Sequence, residues 1–137
     1  MKLTLRSTRI LDVDATIEAL GRLPNLTILR LRLESFIGDE LSFSFREGMF
    51  PSLTVMEFDR PLSLQSVEFN RGTMRKLEYL NFCAWYSEAR IGLLSGLPNL
   101  TGLKHFILSG STYDDDFVED LRAQIARYPN APVFKRQ

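Results

Sequence analysis

The chain has 137 residues, and 17 basic side chains balance 17 acidic ones. A chain so balanced has no overall field to recruit nucleic acid or an anionic membrane. No apolar run approaches the roughly 18 residues that a transmembrane helix needs. The first residues, Met1 to Arg6, lack the apolar stretch of a signal peptide. Cys83 is alone, so no intrachain disulfide can form. These features predict a cytoplasmic protein of one domain, residues 1–137, large enough to bury a real core.

The dominant pattern is a repeat. It opens with a half copy at Leu3-x-Leu5, and the next segment, Asp14 to Gly21, reads as a short helix. Asp14 is placed to cap that helix, Ile17 and Leu20 to face inward, and Gly21 to end it. A full frame follows at Leu23-x-x-Leu26-x-x-Leu29-x-Leu31. Phe43-x-Phe45-x-x-Gly48-x-Phe50-x-x-Leu53-x-x-Met56-x-Phe58 then matches Val67-x-Phe69-x-x-Gly72-x-Met74-x-x-Leu77-x-x-Leu80-x-Phe82. The last copy is Leu100-x-x-Leu103-x-x-Phe106-x-Leu108. The closing residues Leu5, Leu31, Phe58, Phe82 and Leu108 recur about every 24–27 residues, inside the range of leucine-rich repeats. The predicted fold is therefore an α/β leucine-rich repeat solenoid of about five irregular repeats. A parallel sheet would line its concave face.

The fifth repeat has two registers. Aligning Leu97 to Thr101 with Leu23 to Thr27 buries Leu103 and His105, whereas a shift of three residues buries Phe106 and Leu108. Burying an unpartnered His costs about 1–3 kcal/mol, and burying Phe gains about 2 kcal/mol. The second register is predicted, with His105 left on the concave face. Beyond it, Asp114, Asp115 and Asp116 precede Phe117, Val118, Leu121 and Ile125, spaced as one helix face. A capping helix over 114–128 is expected, ended by Tyr128-Pro129-Asn130-Ala131-Pro132. The chain's opening inside a strand suggests a C-terminal piece of a longer protein, or self-association through that first strand.

Strand alternation assigns the side chains that face outward from the sheet. They are Lys2, Thr4 and Arg6 in the first repeat, then Ile28, Arg30 and Arg32. Val55, Glu57 and Asp59 follow, then Tyr79, Asn81 and Cys83, and finally His105, Ile107 and Ser109. Arg30 and Arg32 lie beside Glu57 and Asp59, either as a cross-strand charge ladder or as a recognition patch for a partner of both signs. Tyr79, Asn81, Trp85 and His105 combine aromatic surface with hydrogen-bonding groups, as interface hot spots do. Trp85 could equally pack on Tyr86 or Leu93.

Other chemistry is less well supported. The three aspartates lack the spacing of a calcium loop and read as cap and dipole partners, so no metal is expected. A Cys83–His105 pair is the main nucleophile candidate, and Ser109, Ser111 and Asp114 near His105 form no recognisable triad. No catalysis is expected, and no cofactor: the phosphate-binding GxxxxGK[ST] motif is absent. Asn25-Leu26-Thr27 and Asn99-Leu100-Thr101 have the form of glycosylation sites, but Asn and Pro there also suit turns.

The connecting phrases are more specific than the leucine frame. They are Ile37-Gly38-Asp39-Glu40-Leu41-x-Phe43, Gly48-Met49-Phe50-Pro51-Ser52-Leu53, Val67-Glu68-Phe69-x-x-Gly72-x-Met74, Leu80-Asn81-Phe82-Cys83, Gly96-Leu97-Pro98-Asn99-Leu100 and the tail from Tyr128 to Pro132. From about residue 20 onward the chain resembles the C-terminal leucine-rich repeats of plant intracellular immune receptors, the NLR proteins, in the coiled-coil class common in cereals. That family tends to finish with His-Pro-Asn-x-Pro, and here Tyr128 stands in place of the His. The resemblance implies a nucleotide-binding domain upstream, which the repeats restrain, and the sensing of a pathogen effector or guarded host protein. It supplies no fixed catalytic residues. The alternative is a free-standing repeat adaptor that dimerises through its first strand.

Overall fold

A computed structural model describes residues 2–5, 13–32, 41–59, 64–83, 91–110, 113–128 and 132–136. In chain order the elements are β1 (Lys2–Leu5), α1 (Val13–Gly21), β2 (Ile28–Leu31), β3 (Leu41–Phe45), β4 (Val55–Asp59) and β5 (Leu64–Phe69). Then come β6 (Tyr79–Cys83), β7 (Leu94–Ser95), a 3-10 turn (Leu97–Asn99), β8 (His105–Ser109), α2 (Asp115–Ile125) and β9 (Val133–Arg136). The strands form two sheets. One has the order β1-β2-β4-β6-β8-β9, the other β3-β5-β7. Every pairing is parallel. From β2 to β8 the chain crosses from one sheet to the other at each strand, so each full turn adds one strand to both.

The leucine frame forms the inner face of the larger sheet. Leu29, Leu31, Met56, Phe58, Leu80, Phe82, Phe106 and Leu108 are all buried. They stand in register: Leu29 beside Met56, Met56 beside Leu80, and Leu80 beside Phe106. Across the core, Phe43, Phe45, Val67 and Phe69 alternate inward from the smaller sheet. The two layers meet at Phe43 and Phe58, whose rings lie edge to face at 5.7 Å. Offset and edge-on contacts of this kind are favoured by the ring quadrupole.

Between turns of the coil the backbone pairs with itself. The Thr27 carbonyl accepts from the N–H groups of both Thr54 and Val55 at 2.8 and 3.1 Å. The Thr54 carbonyl does the same for Glu78 and Tyr79, and the Glu78 carbonyl for Lys104 and His105. Each repeat thus enters its strand at a height set by the one before, which fixes the register of the outer face.

The fifth repeat takes the predicted register: Tyr79 pairs with His105 and Leu80 with Phe106, and His105 is exposed. The expected parallel sheet is present, and the structure adds to it in two places. The return segments of three repeats are themselves strands, because Phe43-x-Phe45 and Val67-x-Phe69 have the period of two that pleated backbone needs. The tail also adds a sixth strand: β9 pairs with β8, and Phe134 stacks on Phe106 at 5.5 Å. It has only one apolar inward residue, so no leucine frame announced it.

The two helices act as return arms. In α1, Ile17 is buried and Leu20 packs at the edge of the core, as expected. Asp14 lies inside the helix rather than before it. Gly21 serves close approach instead of a left-handed cap. Its carbonyl accepts from Phe50 N–H at 2.8 Å, and a Cβ there would sit 2.8 Å from Met49 Cε. In α2, Phe117, Val118, Leu121 and Ile125 are buried, and Asp115 and Asp116 occupy the first turn. Asp114 stands at the N-cap position without a side-chain capping hydrogen bond.

Two polar side chains fasten α2 and its exit to the fifth repeat. Gln124 accepts from Leu97 N–H at 3.2 Å and donates to the Leu94 carbonyl at 2.8 Å. The Tyr128 hydroxyl donates to the Leu97 carbonyl, and the Leu100 carbonyl lies 3.1 Å from the same oxygen. Burial pushes the Tyr128 hydroxyl above the ordinary tyrosine value of 10.0. The folded chain therefore holds that proton at pH values where the unfolded chain releases it, so this stability is present below about pH 10 and lost above it. Tyr128→Phe should cost about 0.5–1.5 kcal/mol at neutral pH by removing one hydrogen bond, since the Leu97 and Leu100 carbonyls keep their backbone donors, Leu100 N–H and Leu103 N–H. It should also flatten the loss of stability between about pH 9 and 11. Urea unfolding of both proteins across that range checks it; parallel curves would contradict the assignment.

Candidate protein-binding face

The outer face of the larger sheet carries three rows of side chains running across the strands. The first row is Ile28, Val55, Tyr79, His105 and Val133, in register from β2 to β9. The second is Arg30, Glu57, Asn81, Ile107 and Lys135. The third is Arg32, which follows β2, then Asp59, Cys83 and Ser109.

The four charged residues singled out in the sequence come together. Arg30 Nε lies 2.9 Å from Glu57 Oε2, each side chain about a third exposed. That N–H is buried and makes no hydrogen bond, so the contact is ionic and poorly aligned. A half-buried pair on a sheet face, still partly screened by solvent, contributes no more than about 1 kcal/mol. Arg30, Arg32, Glu57, Asp59, Asn81 and Ser109 line one hollow of about 290 Å³. At its far side the Ser109 hydroxyl donates to Asn81 Oδ1 at 2.8 Å. The hollow thus opens on two basic, two acidic and two hydrogen-bonding side chains.

Tyr79 and His105 lie side by side in the first row, their ring centroids 6.4 Å apart. Tyr79 is half-buried and His105 exposed. Trp85 and Arg6 lie outside the described residues. Cys83 and Ile107, expected to point outward into solvent, are 8% and 3% exposed. Ile107 sits between Asn81 and Lys135, and Cys83 lies in the wall of the hollow. Neighbouring strands cover small and central side chains even on an outer face, and alternation alone does not reveal this.

Cys83 and His105, the pair weighed as a nucleophile and its base, stand apart. Cys83 stands opposite Ser109 and His105 opposite Tyr79, four positions apart along paired strands. At the rise of an extended chain that separation is about 13 Å, beyond thiol–imidazole contact. Among the described residues no group of three His, Cys, Asp or Glu side chains could hold a metal ion. No helix among them is long and apolar enough to cross a membrane. Of the two sequon asparagines, Asn99 uses its side-chain amide to donate to the Phe69 carbonyl at 2.8 Å.

A family model described as a leucine-rich repeat region matches residues 3–134. The chain belongs to the leucine-rich repeat family. No curated protein and no solved structure matches it. Leucine-rich repeat domains are, as a class, surfaces for protein–protein interaction, and the match spans β1 through β9. Strand β9 extends the larger sheet beyond β8 and puts Val133 and Lys135 on the same outer face. Sequence reasoning missed both; the signal available was the alternation of Val133, Phe134, Lys135 and Arg136.

Proposed function

We propose that this domain is the protein-sensing module of a cytoplasmic plant immune receptor of the NLR class. It would bind a pathogen effector or guarded host protein on the outer face of the six-stranded sheet and restrain the receptor's own nucleotide-binding domain. The observation that carries the binding role is the hollow in which Arg30, Arg32, Glu57 and Asp59 converge. The weak Arg30–Glu57 contact leaves a partner's charges able to compete. The connecting phrases from Ile37 to Phe43 and from Gly96 to Leu100 support the receptor class. The domain needs no chemistry of its own in this role: Cys83 serves in the wall of the hollow and His105 on the surface.

Charge reversal tests it. The double variant Arg30→Glu, Arg32→Glu should reduce capture of a binding partner from plant extract at least tenfold, while the melting temperature stays within about 5 °C of wild type. Unchanged capture would remove the hollow from the binding surface. A sharp fall in melting temperature would make the charges structural.

A further inference from the structure

The three rows on the outer face are chemically segregated. From β2 to β9 the first is apolar and aromatic, with Val133 45% exposed at one end and Ile28, Val55 and Tyr79 half-buried along it; beyond Ile28 it ends on the exposed Lys2 of β1. The third row and the near half of the second hold the charges of the hollow. Residues two apart on a strand are about 6.6 Å apart, so the first and third rows are separated by about 13 Å. An α-helix with its side chains is about 10–12 Å across. Strands repeat about every 4.8 Å, and a helix advances about 5.4 Å per turn. A helix laid across the strands thus places successive turns near successive strands. An extended peptide in the same place would aim a single file of alternate side chains at the face and reach only one row.

We infer that the face takes an amphipathic α-helix of a protein partner, lying across the strands. This rests on the reading of the face as a protein-binding surface. The helix sets its apolar stripe on the row of Ile28, Val55, Tyr79 and His105, and its charged flank over the hollow. Arginine on β2 next to acid on β4 also fixes the order of charges on that flank. It carries an acid facing Arg30 and Arg32, and a base one turn further on facing Glu57 and Asp59. In sequence that is a carboxylate and a Lys or Arg three or four residues apart, beside apolar residues at i, i+3 or i+4, and i+7.

Two displayed libraries of 18-residue peptides test this, one patterned as amphipathic helices and one as alternating strands. Binders should emerge from the helical library with the acid–base spacing just described. Their dissociation constants should rise at least tenfold on Tyr79→Ser and, independently, on His105→Ser, with the far-ultraviolet circular dichroism of each variant unchanged. Binders from the strand library that are equally sensitive to both substitutions would overturn the helix and leave the face intact as a binding surface. Binders insensitive to both, or none from either library, would overturn the helix proposal, and the extract capture described above separately decides the face.

Discussion

Replacing Phe45 with alanine should lower the unfolding free energy by about 3–5 kcal/mol, the usual cost of deleting a buried ring. Phe45 is fully buried at the end of β3, the strand of the smaller sheet that pairs with β5. Its ring stacks on Phe69 at 5.4 Å, lies parallel to Phe43 at 6.0 Å, and meets Phe50 edge-on at 5.8 Å. These neighbours belong to two adjoining turns of the coil, so the cavity would open between repeats rather than at a margin. For a domain whose whole stability is on the order of 5–15 kcal/mol, that is a large fraction. Urea unfolding should show the loss as a shifted midpoint with an unchanged slope. A loss under about 1 kcal/mol would mean that the second sheet does not close over this ring.

Gly96→Ala should be the costliest substitution among the described glycines, and Gly48→Ala its control. Both glycines have a left-handed backbone, with φ of 77° and 81°. That conformation alone costs a side chain about 1–2 kcal/mol, and it is all Gly48→Ala should show, because nothing lies within 4 Å of the added Cβ. At Gly96 the Cβ would fall 2.0 Å from the Phe69 carbonyl oxygen. That oxygen is backbone and also accepts from Asn99, so it has little room to retreat. Gly96→Ala should therefore cost at least about twice as much as Gly48→Ala. Thermal unfolding of the two variants side by side decides it, and equal losses would refute the close approach.

Much of the architecture was legible because it rests on spacing. The frame from Leu23 to Leu31 and its later copies located the inner ladder. Comparing the cost of burying His105 with the gain from burying Phe106 settled the register of β8. The apolar spacing from Phe117 to Ile125 located α2. What escaped depends on neighbours rather than on period. Asp14 looks like a cap in isolation, yet the helix already includes it. Gly21 does end its helix as expected, yet the reason for a glycine there, the approach of Met49 and Phe50 from another turn, was not readable. Cys83 and Ile107 occupy outward positions but are covered by their surroundings.

The candidate site shows the same division. Alternation assigned Arg30, Glu57, Asn81 and His105 to one face, and the strand pairings place them there. The hollow among them was not readable, since it depends on Ser109 turning to donate to Asn81 and on the weak alignment of Arg30 with Glu57.

The return arms follow a sequence with its own geometric outcome: helix, three strands, helix. A helix occupies about 10 Å of width where a strand needs about 4.8 Å. Helical arms therefore take more room behind the two ends of the larger sheet than β3, β5 and β7 take behind its middle. By that spacing alone, a splay between neighbouring strands is favoured more beside β1 and β9 than over β4, β6 and β8.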